Sequence, residues 1–168
     1  DVNLEAGGGT QAEQTAAIMV RYEQLLMQKK PDLTLVVGDV TSTMACSISA
    51  KKLHINVAHV EGGIRSGDIT MPEEINRLVT DSITDVFFTT SEVANGNLRK
   101  AGVSEESIVF VGNTMIDTLL RHENDFVAPA FWEDESLKKG DYLVMTLHRP
   151  SNVDDADQLR SIFEVIDE

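Results

Sequence analysis

The sequence predicts an α/β chain built on parallel sheet. Short apolar runs alternate with segments of helical period, at spacings that suit right-handed crossover units. One run, LTLVV at 33–37, is nearly continuous, as expected of a parallel strand buried on both faces. A small or ionisable residue closes each run, at the strand ends where open parallel sheets bind ligands.

Residues 1–10 form a Gly-rich opening loop. From Gln11 to Gln28, Ile18, Tyr22, Leu25 and Leu26 recur at i, i+4, i+7 and i+8, which predicts a helix that Pro31-Asp32 ends. The strand at 33–37 follows, then Gly38-Asp39 and a helix from Thr41 to Leu53. A second strand, Ile55 to Val60, leads into a glycine-rich loop and a helix from Pro72 to Thr84. Val86 to Thr89 is a third strand. Ser91 is placed to N-cap a helix that stops near Gly102. Ile108 to Val111 is a fourth strand, and Thr114 to Arg121 a helix. Residues 122–140, with Pro129, Trp132 and several acids, read as a linker. Tyr142 to Leu147 is a predicted fifth strand, with a helix beginning at Asp154 or Asp155.

A length of 168 residues allows one domain or parts of two. The net charge of −14 argues against a nucleic-acid surface, and any phosphate site must be local. Cys46 is the single cysteine, so no intrachain disulfide forms; it reads as a small buried apolar residue in a reducing, cytoplasmic compartment. No run of about 18 apolar residues predicts a transmembrane helix. The first residues carry no initiator methionine or signal pattern, and SIFEVIDE stops within a helical pattern. Both ends therefore read as the interior of a longer protein.

The polar strand ends concentrate on one stretch, HVEGGIRSGDITMPEEINR at 59–77. Glu61 follows a buried strand and precedes two glycines, which points it into a crevice. Asp39 either lines the same crevice or caps the helix at Thr41. Glu73 and Glu74, after Pro72, either belong to the site or favour the helix start through its dipole. Thr90-Ser91, Gly112-Asn113 and His148-Arg149 stand at the remaining strand ends. His148 is either a site residue or a hydrogen-bonded strand-end histidine. His59 supports Glu61, while His54 and His122 are surface residues. No HxH, HExxH or CxxC pattern is present, so no metal is expected. The glycines form neither a Walker loop nor a dinucleotide fingerprint, which disfavours nicotinamide chemistry; the cofactor expectation is none.

VVGDVTSTMACSISAKKLHINVAHVEGGIRSGDITMPEEINRLVTDSITDVFFTTSE resembles the non-hydrolysing UDP-N-acetylglucosamine 2-epimerases, and GNTMIDTLL and VMTLHRPSNVDD continue the likeness in order. The resemblance implies Rossmann-like parallel sheets in a two-domain architecture of the glycosyltransferase-B type. Residues 1–121 would be the later part of the N-terminal domain, 122–140 the crossover, and 141–168 the first strand and helix of the C-terminal domain. It also implies elimination of UDP to 2-acetamidoglucal and re-addition on the other face of C2, in the supply of sugars for cell-surface polysaccharide. By position, Asp39, Glu61, Glu73 and His148 match the family's catalytic set. Arg65, Arg149, Ser91 and Asn113 join them as substrate-binding residues. Ser151 stands where the family often has glutamate; Gly63 and Ser66 replace a common alanine and threonine. A UDP-sugar substrate and a homodimer, without nucleic acid or membrane, complete the expectation. The alternatives are a 2-epimerase of a related UDP-sugar, such as a UDP-diacetamido-glucuronate, and a non-catalytic nucleotide-sugar binding module. The chain by itself is expected to be inert, and to expose surface that drives self-association.

Overall fold

The computed structural model describes residues 1–138, 140–147 and 150–167. By internal packing the chain divides into two units, Asp1–Glu123 and Asn124–Glu168.

In the first unit, helix α1 (Gln11–Lys29) starts at a capping box. Thr10 Oγ1 accepts from the Glu13 N–H, and the Glu13 carboxylate accepts from the Thr10 N–H. Strands β1 (Leu33–Val37), β2 (Asn56–Val60), β3 (Val86–Thr89) and β4 (Ile108–Phe110) form a parallel sheet in the order β1-β2-β3-β4. Helices α2 (Thr41–Lys52), α3 (Pro72–Ile83) and α4 (Glu92–Lys100) make the crossovers, and α5 (Thr114–His122) follows β4. These positions agree with those read from sequence to within about two residues.

The strand order has a consequence for burial. Every crossover steps in the same direction, and right-handed crossovers then place α2, α3 and α4 on one face. Thr34 and Val36 of β1, Val57 and His59 of β2, and Phe87 and Thr89 of β3 point to that face and are buried. Leu26, Val36, Ala50 and Val57 pack together there, with Tyr22, Cys46, Leu53 and Ile55 around them. The opposite face is open at the outer strands, where Leu33, Leu35 and Val37 of β1 and Val109 of β4 range from 40 % to 55 % exposed, while Ala58 of the central β2 is buried. The expectation that 33–37 is buried on both faces is thus corrected. Its residues alternate, because the helices cover one face alone. Cys46 is half-buried rather than buried, and its surroundings still push the thiol up to about 11.

Helix α3 is inverted relative to an ordinary surface helix. Glu74, Asn76, Thr80 and Asp81 are buried, while Ile75 and Leu78 lie outward. Its polar stripe faces the carboxyl ends of β1 and β2.

In the second unit, α6 (Phe131–Asp134) falls within the expected linker, and the Trp132 and Tyr142 rings meet at 5.9 Å in a tilted pair. Residues 142–147, expected as a fifth strand, are not strand. Leu143 and Val144 are 97 % and 82 % exposed. A strand needs a neighbour to receive its backbone hydrogen bonds, and the second unit contains no strand among its described residues. Helices α7 (Pro150–Val153) and α8 (Ala156–Asp167) follow; Asp155 caps α8 by accepting from the Asp157 and Gln158 N–H groups. No helix among the described residues is long and apolar enough to cross a membrane.

Candidate functional site

The turn after β1 carries the first acid. Gly38, at φ +71°, donates its N–H to the Val60 carbonyl at 3.1 Å, so the turn is tied to the end of β2. Asp39 does not cap α2. The N-cap position is Val40, without a side-chain cap, and Thr43 Oγ1 instead donates to the Val37 carbonyl at 2.8 Å. Asp39 turns toward α3: Arg77 Nη2 donates to its Oδ2 at 2.5 Å, and Asn76 Nδ2 donates to its carbonyl at 2.8 Å.

Glu61 leaves the end of β2 in the left-handed region, φ +71°, which is uncommon for a residue with a side chain. Its N–H donates to the Phe88 carbonyl at 2.9 Å, extending the ladder to β3 by one bond. Its carboxylate lies over the β1 turn, since a Cβ built on Gly38 would stand 3.8 Å from Glu61 Oε2. At the next two residues a side chain would force the surroundings of this chain to shift. A Cβ on Gly62 would meet the Phe87 ring at 2.8 Å, and one on Gly63 would meet the Ala94 carbonyl at 2.6 Å.

Beneath this loop lies a buried ionic cluster. His59 Nε2 donates to the Gly38 carbonyl at 2.8 Å, since a carbonyl can only accept, and Nδ1 faces Asp81 Oδ1 at 2.7 Å. Asp81 Oδ2 accepts from the Gly63 N–H at 3.0 Å and from Arg65 Nη1 at 2.6 Å. Arg65, expected to bind substrate, is thereby anchored by one edge of its guanidinium. His59, expected to support Glu61, bonds instead to the Gly38 carbonyl before Asp39 and to Asp81.

The two glutamates of the α3 start take different parts. Glu74 is buried and closes the loop from its far end. Its carboxylate accepts from the Ser66 N–H and hydroxyl, the Gly67 N–H and Arg77 Nη1. Burial opposes its charge, but these donors outweigh it and hold the carboxyl at about 2. The Arg77 guanidinium, also opposed by burial, is raised by Glu74 and Asp39. Glu73 is half-buried in the first turn, one helical turn from Arg77, and its carboxylate makes no bond to a described residue.

The structure thus brings Asp39, Glu61 and the α3 start bearing Glu73 to one edge of the sheet. Ser91 and Asn113 stand at the ends of β3 and β4 on that edge, with their oxygens engaged as helix caps. Ser91 Oγ accepts from the Ala94 N–H, and Asn113 Oδ1 from those of Met115 and Ile116. His148 and Arg149 lie outside the described residues. Sequence reasoning missed Asp81, Asn76 and Arg77. The signal was present: Glu74, Arg77 and Asp81, at i, i+3 and i+7, share one helix face, and with Asn76 and Thr80 they make a polar stripe centred opposite Ile75.

A family model described as UDP-N-acetylglucosamine 2-epimerase matches residues 1–168. A UDP-N-acetylglucosamine 2-epimerase of Methanocaldococcus jannaschii is 42 % identical over 168 residues, 98 % of this chain and 46 % of that protein. A UDP-2,3-diacetamido-2,3-dideoxy-D-glucuronate 2-epimerase of Pseudomonas aeruginosa is 38 % identical over 100 % of this chain and 47 % of its own. Among solved structures, the M. jannaschii enzyme in complex with UDP-GlcNAc and UDP superposes with a TM-score of 0.87 at 40 % identity, over 99 % of this chain and 46 % of that one. A UDP co-structure of S. aureus MnaA gives a TM-score of 0.85 at 31 % identity, over 95 % and 42 %. The chain spans a little under half the length of these relatives.

Proposed function

The chain belongs to the UDP-N-acetylglucosamine 2-epimerase family, and on that premise we propose that the whole protein interconverts UDP-N-acetylglucosamine and UDP-N-acetylmannosamine. The observation that carries this is the meeting of Asp39 and Glu61, from neighbouring strand ends, beside the helix start that bears Glu73. Inverting C2 needs acid–base groups on both faces of one carbon, each within hydrogen-bond reach. The C2 proton is removed as the C1–O bond breaks, UDP leaves with the bonding pair, and 2-acetamidoglucal remains bound. Return of UDP, with a proton delivered to the opposite face of C2, gives the epimer. Asp39, Glu61 and Glu73 supply the acid–base groups. Arg65, Ser91 and Asn113 contact substrate, and His148 and Arg149 stabilise the departing diphosphate.

The whole protein acts in the cytoplasm as a homodimer with a UDP-sugar and without nucleic acid, in line with the acidic charge and single cysteine of this part of it. The two-domain glycosyltransferase-B arrangement belongs to the same proposal, with residues 1–121 and 141–168 contributing to different domains. A second substrate, a UDP-diacetamido-glucuronate, is favoured by the likeness to the P. aeruginosa enzyme.

The test is turnover of both UDP-sugars by the whole protein in heavy water. Deuterium at C2 of the epimeric product is expected with one of them. Glu61→Gln should lower that exchange by about 100-fold or more. Unchanged exchange in the variant removes Glu61 from the mechanism, and a wild-type protein that turns over neither sugar overturns the assignment.

A further inference from the structure

We propose that the buried His59–Asp81 pair is the positioning device of this site, tying the Asp39 turn to the Glu61 loop. The inference rests on the reading of Asp39 and Glu61 as acid–base groups. Both side chains are almost wholly buried, His59 at 1 % and Asp81 at 4 % exposure. An ionic group this deep is stable only where its partners are complete, and here every partner is a piece of the site. His59 Nε2 ends on the carbonyl of Gly38, the residue before Asp39. Asp81 ends on the N–H of Gly63, two residues after Glu61, and on Arg65. The direct contact between His59 and Asp81 joins the two halves.

Such a link is needed because the intervening backbone has little shape of its own. Gly62, Gly63 and Gly67 leave the loop free to wander, and Glu61 holds a φ that costs about 1–2 kcal/mol unless its surroundings enforce it. The pair lies under the loop and not in the cleft. A Cβ on Gly62 would come within 3.3 Å of His59 Nδ1 and 3.5 Å of Asp81 Oδ1. His59 and Asp81 therefore act through Asp39 and Glu61 and do not touch the sugar. A displacement of about 1 Å between reacting groups costs on the order of 100-fold in rate.

Two substitutions at one position separate the halves of the link. His59→Gln keeps a donor near Nε2 and gives up Asp81. His59→Asn keeps a donor near Nδ1 and gives up Gly38. In the whole protein each should lower kcat by about 30-fold or more, with KM within about threefold. Each should also release 2-acetamidoglucal and UDP into solution, because elimination proceeds while reprotonation at C2 misses its face. Loss of stability alone lowers the melting temperature and the active fraction but leaves the ratio of glucal to epimer unchanged. Asp81→Asn is the companion variant, and the His59 pair decides the matter if it does not fold. Variants that melt cooperatively and keep the wild-type ratio overturn the proposal, at whatever rate they turn over. A wild-type protein without C2 exchange instead overturns the proposed function, and with it the catalytic meaning of the tether.

Discussion

Glu74 shows how a residue can be misread by its neighbourhood. In sequence it is the second acid after a helix-starting proline, and the dipole explains it well enough. In the structure it is the buried clasp of the 61–68 loop, with its carboxyl held at about 2 against an ordinary value of 4.5. A depressed carboxyl contributes stability above its unfolded value and loses it as pH falls through the folded one. The stability difference between wild type and Glu74→Gln should therefore be full above about pH 5 and shrink as pH drops toward 2. Denaturant titrations at a series of pH values measure it, and at neutral pH the variant should lose about 3 kcal/mol. Asp81 is the complementary case: its spacing from Glu74 and Arg77 marks a polar helix face, but only the fold shows that this face meets His59 and Arg65 rather than water.

At the scale of elements, the strands and helices were legible because each carries its own local signal. Thr10 with Glu13, Ser91 and Asn113 announce helix starts, and the apolar runs announce strands. The joints between elements were not legible. Asp85 is one of them. Burial raises its carboxyl, but Lys51 and the Val57 N–H outweigh this and lower it. It thereby pins the start of β3 to the start of β2 and to the last turn of α2. Asp85→Ala should cost about 1 kcal/mol, a modest figure because the Lys51 pair is about one-third exposed. The loss should appear as faster amide exchange at Val57, read by hydrogen exchange. The predicted strand at 142–147 failed for the complementary reason. Its residues have strand propensity, but in the second unit no strand among the described residues stands ready to pair with it.

At the scale of the whole molecule, the open face of the sheet is the dominant feature. Parallel sheets are normally covered on both sides, and here Leu33, Leu35, Val37 and Val109 remain at the surface. The chain by itself should therefore self-associate, and Leu35→Glu should shift it toward monomer in sedimentation velocity, with melting changed by less than about 1 kcal/mol. The sequence by itself determined the α/β class, the order and limits of the first unit's elements, and the strand-end positions of Asp39 and Glu61. Periodicity, caps and glycine placement are local properties written in adjacent residues. Only the tertiary structure decided which face of the sheet is covered, that α3 turns its polar side inward, and that His59 and Asp81 meet beneath the loop after Glu61. Those outcomes depend on the direction of each crossover and on contacts between residues some 20 positions apart. Propensity carries no record of such distances.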